Sequence, residues 1–243
     1  MLAKLTKRVH KLVKHSVHSD YRAAFRAARI APLFEHDRTL KTLSYPTVID
    51  IGVNRGQFTL VSRHCFPTAR NIAFEPLSAP ASRFRAVHDQ DAKVALHQAA
   101  IGPRAGEAAI HVAAADDSSS LLSMTNLQKS LYSWSSEVGT EVVQVDRLDH
   151  FLSAEGVRPP AFLTIDVRGF ELSTLHRCGL LLKEFAYRTL EYSIVELHEV
   201  QAFAGEVIAY LRDQGFNLRG VYNSHYSTSG EAVQADFLFV PLI

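Results

Sequence analysis

Residues 48–56 read VIDIGVNRG, an apolar run closed by a glycine turn. Val48, Ile49 and Ile51 are β-branched and favour an extended strand, and Gly52 lets the chain turn sharply where the strand stops. Short apolar runs then alternate with helical segments as far as the C-terminus. That alternation marks a sheet built from parallel βαβ units. It predicts strands over Val48–Gly52, Asn71–Glu75, Val94–Ala99, Phe162–Val167, Arg188–Tyr192, Asn217–Tyr222 and Asp236–Val240, and helices over Gly56–Cys65, Ala79–Val87, Glu171–Leu182 and Gln201–Gln214, with Gly215 as a C-cap. Only Asn223–Ala235 separate the last two strands. A helical crossover does not fit there, so this pair is expected to run antiparallel.

The chain has 243 residues, 47% of them hydrophobic. That suits one α/β unit with a full core. No apolar run reaches the length of a membrane span, and lysines and arginines interrupt every apolar stretch of the first fifteen residues, so no signal-peptide h-region is expected. Cys65 and Cys178, far apart and without metal-ligand spacing, read as small buried residues of a reduced cytoplasmic protein. Residues 1–41 carry ten Lys/Arg against Asp20, Glu35 and Asp37, net +7, which leaves −6 for the remainder. A mildly acidic body gives no argument for a nucleic-acid partner.

The charge asymmetry divides the chain into a basic helical leader, 1–41, and a catalytic-size domain, 42–243. Leu2, Leu5, Val9, Leu12 and Ser16 fall on one helical face. Asp20 is placed to cap a second helix with Tyr21, Ala24, Phe25 and Ala28 on its apolar side, ending before Pro32. The expected partners of residues 1–31 are the domain itself, a second subunit, or the anionic surface of the inner membrane. One stretch interrupts the domain's alternation: residues 118–136 hold eight serines and the only tryptophan, Trp134. A long polar segment of this kind reads as a binding loop or lid.

The turn carries chemistry as well as fold. Asp50, Gly52, Asn54 and Gly56 give D-x-G-x-N-x-G. A dinucleotide site prefers G-x-G-x-x-G, with a helix N-terminus facing a pyrophosphate. With Asn54 at the second glycine and none at the third, the turn suits a ligand without pyrophosphate, which disfavours an NAD-dependent oxidoreductase. Glu75 ends the second strand about twenty residues later, where an acid accepts hydrogen bonds from both ribose hydroxyls. Turn and acid together indicate an adenosine ligand, with Gln98 to Ile101, including Ala100, bordering the adenine.

VIDIGVNRGQFT, IAFEPLSAPASRF, the Ser118–Ser120 cluster, LTIDVRGFELSTL, LEYS, GEVIAYLRDQGF and ADFLFV, in that order from about Tyr45 to Val240, resemble the successive motifs of FkbM-type methyltransferases. The resemblance implies a class I methyltransferase, Rossmann-like fold: seven strands, mostly parallel, with one antiparallel C-terminal strand, here preceded by N-terminal helices. It implies S-adenosylmethionine as cofactor and methyl transfer to a hydroxyl of a saccharide, glycolipid precursor or related metabolite. Asp50, Gly52, Asn54, Gly56 and Glu75 would be cofactor contacts, Asp50 toward the methionine amino group, while Ser119 in its turn and Asp166 would lie beside the transferred methyl. Two positions depart from the family pattern. Thr164 stands where lysine is usual and Arg168 where glutamine is common, and losing the lysine removes a positive charge beside Asp166.

Transfer to a hydroxyl requires that the acceptor lose a proton. Asp166, at the C-terminal end of its strand, is the first candidate to orient or deprotonate the acceptor, and Glu191 is the second. Glu171 begins a helix and is explained equally by capping. His198 and His225 are lesser candidates, each expected at the surface. Arg168 and Arg188 are candidates for an anionic acceptor or for surface ion pairs. The twelve histidines show no metal-ligand spacing, so no metal is expected. The alternative function is a catalytically weak cofactor-binding partner in a biosynthetic assembly.

Overall fold

The computed structural model describes residues 18–152 and 156–242. Seven strands form one sheet: β1 (Thr47–Ile51), β2 (Arg70–Phe74), β3 (Val94–His97), β7 (Ala161–Ile165), β8 (Phe185–Ser193), β9 (Phe216–Tyr226) and β10 (Ala232–Pro241). Their order is β3-β2-β1-β7-β8-β10-β9. The first five run parallel, and β10 is antiparallel to both β8 and β9. All seven expected strands are present, and the expected antiparallel pair is β9–β10.

Why β1 and β7 are mostly apolar follows from their place. Every residue of both is buried, because helices cover both faces. With alternation along a strand, Ile49, Ile51, Leu163 and Ile165 join the core that also holds Leu175, Val207 and Leu211. Val48 and Phe162 point the other way, toward Phe58, Val61 and Phe66. Asp50 and Thr164, two residues on, share that second face at its open C-terminal end, paired in register.

The structure departs from the sequence reading in several places. A second sheet, in the order β4-β6-β5, is formed by β4 (Ala100–Ile101), β5 (Gly106–Ala113) and β6 (Glu137–Asp146). The serine-rich segment is the long connection of its β5–β6 hairpin. The helix expected over 171–182 stops at His176 and resumes as a 3₁₀ turn over Gly179–Glu184, whose first residue, Gly179, has φ +55°, a conformation that breaks a right-handed helix. Asp20 does not cap its helix. It lies inside the first turn of Ser19–Ala28, where Ser19 Oγ donates to it at 2.7 Å. Cys178 is buried as expected, but Cys65 is only half-buried.

The amphipathic face proposed for Leu2 to Ser16 lies outside the described residues. The rest of the leader packs on the domain: Tyr21, Ala24, Ile30 and Phe34 form a cluster with Leu60. Phe25, grouped with them in the sequence, is instead 40% exposed. Among the described residues, no helix is long and apolar enough to cross a membrane.

Candidate active site

A cleft of about 280 Å³ opens at the C-terminal ends of β1, β2 and β7, the edge at which open α/β sheets bind ligands. Its floor is the 52–56 turn. Gly52, Asn54 and Gly56 have φ of +83°, +51° and +91°, so the alternate spacing of D-x-G-x-N-x-G places Gly, Asn and Gly at three left-handed positions. Asparagine tolerates that region better than most residues. At Gly52 the demand is steric too, since a Cβ there would lie 2.0 Å from the Asp166 carbonyl oxygen. Gly56 stands behind the turn against Phe84 and His88, and it does not line the cleft.

Glu75 ties this turn to the second strand. It is 5% exposed; its Oε2 accepts from the Asn54 N–H and its Oε1 from the Leu77 N–H, both at 2.9 Å. A carboxylate offers about four acceptor sites, and this one lines the cleft, where a ligand's hydroxyls would suit it. Beside it, Leu77, Ala100, Ile101, Ile110 and Leu121 make an apolar slot that fits a flat heterocycle. Gln98 is not part of it, because its side chain is engaged by Arg85 and Ser78. Asp50 lines the cleft on the other side of Gly52. Burial raises its carboxyl to about 7, against a 3.3 Å hydrogen bond from Thr59 and with a smaller upward push from Glu75. A ligand's ammonium would restore its charge. The Glu75 carboxylate, an apolar slot and the buried Asp50 carboxyl fit the three parts of S-adenosylmethionine.

Beyond Gly52 the cleft becomes polar. Asp166, Arg168 and Glu191 form a chain: Arg168 Nε lies 3.1 Å from Asp166 Oδ1, and Nη1 lies 2.6 Å from Glu191 Oε2. The first contact is an ion pair without hydrogen-bond alignment, so Oδ1 keeps an open acceptor site. Burial dominates at Asp166 and holds its carboxyl well above the usual range, opposed by Arg168 and assisted by Glu191. Glu191 ends below the usual value: burial raises it, but Arg168 and hydrogen bonds from Asp166 and Gln234 outweigh that. The pair is thus split into a proton holder, Asp166, and a fixed anion, Glu191.

The turn presenting Asp166 and Arg168 is held from behind. Glu171 Oε1 accepts from the N–H groups of Val167 (3.2 Å) and Gly169 (3.0 Å). Glu171 is 2% exposed and lies outside the cleft lining, so it braces this turn; the helix N-cap itself is Phe170. Ser120 Oγ donates to the Arg168 carbonyl at 2.7 Å, while Ser119 Oγ accepts from the Ala113 N–H at 3.0 Å. Of the serine-rich stretch, residues 119–121 line the cleft and the region from 122 to 136 does not.

Two expectations change. Arg188 is fully buried away from the cleft, its guanidinium 3.3 Å from the centre of the Phe216 ring and donating to the Leu182 carbonyl; it is neither an anion receptor nor a surface ion pair. His198 is 2% exposed rather than superficial, and burial pushes its imidazole down to about 4. His225 is exposed and lines the cleft. The charge missing at Thr164 is supplied from Arg168. Sequence reasoning passed over Leu33, Glu35 and His36 of the leader, and Asn223 and Asp236 of β9 and β10, all of which line the cleft. For Asp236 a signal existed: an acid inside the apolar strand AVQADFLFVP. For residues 33–36 there was none, because only the tertiary fold brings them there. Among the described residues, no group of three or more His, Cys, Asp or Glu is arranged to hold a metal ion.

Comparison with known proteins agrees with this geometry. Residues 50–218 match the model of the methyltransferase FkbM domain. The 2-O-methyltransferase NoeI of Sinorhizobium fredii is 28% identical over 162 residues, 64% of this chain and 67% of NoeI. In structure the chain resembles methyltransferase FkbM from Methylobacillus flagellatus (TM-score 0.51, 14% identity, 80% of this chain and 44% of that one). It also resembles the O-methyltransferase TomG from Streptomyces achromogenes, solved with S-adenosylmethionine (TM-score 0.51, 12% identity, 97% and 96%). The chain thus spans less than half of the first of these structures and nearly all of the second. It belongs to the FkbM family of S-adenosylmethionine-dependent methyltransferases.

Proposed function

We propose that the protein transfers the methyl group to oxygen, on a hydroxyl of a saccharide or related neutral metabolite. The observation that carries this reading is Asp166: a carboxyl with an upward-shifted pKa and an open acceptor site, in the same cleft as the cofactor-fitting floor. A hydroxyl is a poor nucleophile until its proton is accepted, and a carboxylate shifted toward neutrality is a suitable base. An amine, already nucleophilic when neutral, has less use for one. The 2-O-methyltransferase name of NoeI supports the same choice.

Bound S-adenosylmethionine would supply an electrophilic methyl on a sulfonium, with Asp50 toward the amino group, Glu75 at the ribose, Ala100 at the adenine and Ser119 and Asp166 near the methyl. The protein's own work is then positional and electrostatic. Gly52 brings the cofactor floor against the Asp166 main chain. Asp166 accepts the acceptor's proton, and Arg168, held by Glu191, stabilises the carboxylate until that moment. Positioning of the acceptor hydroxyl by these residues, opposite the methyl group that a bound cofactor would present, would supply much of the remaining acceleration. Arg168 beside Asp166 supports turnover over a binding-only role.

The test is product formation. With S-adenosylmethionine and a panel of neutral hexosides, phenols and amines, S-adenosylhomocysteine is expected with hydroxyl acceptors, and NMR of the product is expected to show an O-methyl group. Transfer to nitrogen alone would overturn the reading.

A further inference from the structure

The family match ends at residues 50 and 218, yet two segments outside it converge on one wall of the cleft. Glu35 and His36 come from the 3₁₀ turn Phe34–His36 before the domain, and Asn223 and Asp236 from the last two strands. These groups are built against one another. Asp236 is 8% exposed and paired across β8–β10 with Glu191. Its Oδ2 accepts from Asn223 Nδ2 at 2.6 Å and lies 3.7 Å from His36 Nε2, and the His36 ring is itself fixed edge-on to Phe58 at 5.4 Å. The wall therefore continues from the proposed base, Asp166, through its neighbour Glu191 to a rim that the leader supplies.

From this juxtaposition we infer that residues 35–36, Asn223 and Asp236 form the acceptor subsite, and that it selects acceptors carrying no negative charge. The inference rests on the O-methyl transfer reading of this same cleft and adds the acceptor's charge class and its seat. Among the described residues, the only Lys or Arg lining the cleft is Arg168, and it is occupied by Asp166 and Glu191. Three further carboxylates, Glu35, Asp117 and Asp236, face the same space. A phosphate or carboxylate on the acceptor would meet like charge, and the guanidinium of Arg168 is already engaged by two carboxylates. Hydroxyl groups, which both donate and accept, match a wall of carboxylate, amide and imidazole.

The test uses the full chain, a neutral hexoside, the matching hexuronate, and the variants Asp236→Asn and His36→Ala, reading acceptor KM, kcat and S-adenosylmethionine affinity separately. The wild type is expected to prefer the hexoside. Each variant is expected to raise acceptor KM about five- to tenfold, the size of one lost hydrogen bond, with cofactor affinity unchanged. Asp236→Asn is also expected to narrow the preference for the hexoside over the hexuronate. Unchanged acceptor KM in both variants, or equal use of hexoside and hexuronate by the wild type, would overturn the inference. His36→Ala, at the rim, keeps the test valid if Asp236→Asn fails to fold. If neither sugar is used but a non-sugar alcohol is methylated, the saccharide reading alone fails, and the same variants are read on that alcohol and its carboxylated analogue. No turnover with any acceptor overturns both.

Discussion

Replacing Gly52 by alanine separates two demands that a glycine can meet, and Gly230 provides the control. Both have strongly positive φ, +83° and +88°, where an L-residue costs roughly 1–2 kcal/mol. A Cβ on Gly230 meets nothing within 4 Å, so Gly230→Ala incurs only that cost. At Gly52 the new carbon lies 2.0 Å from the Asp166 carbonyl oxygen, 1.4 Å short of ordinary contact, and the obstacle is backbone. Overpacking of this kind adds about 1–3 kcal/mol, for a total of about 2–5 kcal/mol. For a chain of this size each kcal/mol moves Tm by roughly 2–4 °C. Thermal unfolding is expected to show a drop of roughly 5–15 °C for Gly52→Ala and a few degrees for Gly230→Ala. The separation of β1 from the Asp166 turn should also weaken S-adenosylmethionine binding by about tenfold or more, about 1.4 kcal/mol, read by calorimetry, with no change in Gly230→Ala. Equal Tm shifts, or wild-type cofactor affinity in Gly52→Ala, would refute the reasoning.

Two further outcomes follow from the carboxylates. Glu75→Gln should weaken cofactor binding by roughly 10–100-fold, the range of a lost charge-assisted hydrogen bond or two, while kcat at saturating cofactor changes little; calorimetry and initial rates distinguish the two. Glu171 is raised from 4.5 to about 7, with burial outweighing its N–H bonds. The folded state therefore keeps a proton that the unfolded chain has released. That contribution to stability is complete below about pH 4.5 and is lost as pH rises toward 7. Glu171→Gln does not titrate, so urea unfolding should show its stability improving relative to wild type between pH 5 and 8, by at most about 3 kcal/mol. A constant difference would contradict the assignment.

How far the sequence revealed this site depended on which interactions were local. Val48–Asp50–Gly52 and Glu75 were readable because strand pattern, turn chemistry and fixed spacing all lie within thirty residues. The β5–β6 hairpin was not. Gly106–Ala113 is rich in alanine, and Glu137–Asp146 exposes its first four residues and keeps only Val143 and Val145 buried, so the alternation that announces a half-buried strand is faint. Arg188 misled for a related reason. An arginine in a strand normally signals an exposed face, whereas here it stacks on Phe216 inside the fold. The acceptor wall was illegible because His36 lies about two hundred residues from Asn223 and Asp236, and no short-range pattern links them. Arg168 was legible as a departure from a family pattern, but its pairing with Asp166 and Glu191 required the positive φ of +51° that turns it back over the site.

The central claim is that Asp166 removes the acceptor's proton in a cleft whose floor holds the cofactor. The most direct measurement is the pH profile of kcat/KM for a hydroxyl acceptor, in wild type and in Asp166→Asn, with S-adenosylmethionine affinity measured in parallel. In the wild type, activity should rise with pH through a transition above the ordinary carboxylate range, because the base must be unprotonated and burial holds its pKa up. In Asp166→Asn that limb should disappear and the rate fall by about 10²–10⁴, with cofactor affinity unchanged. A variant that kept both the rate and the limb would contradict the account.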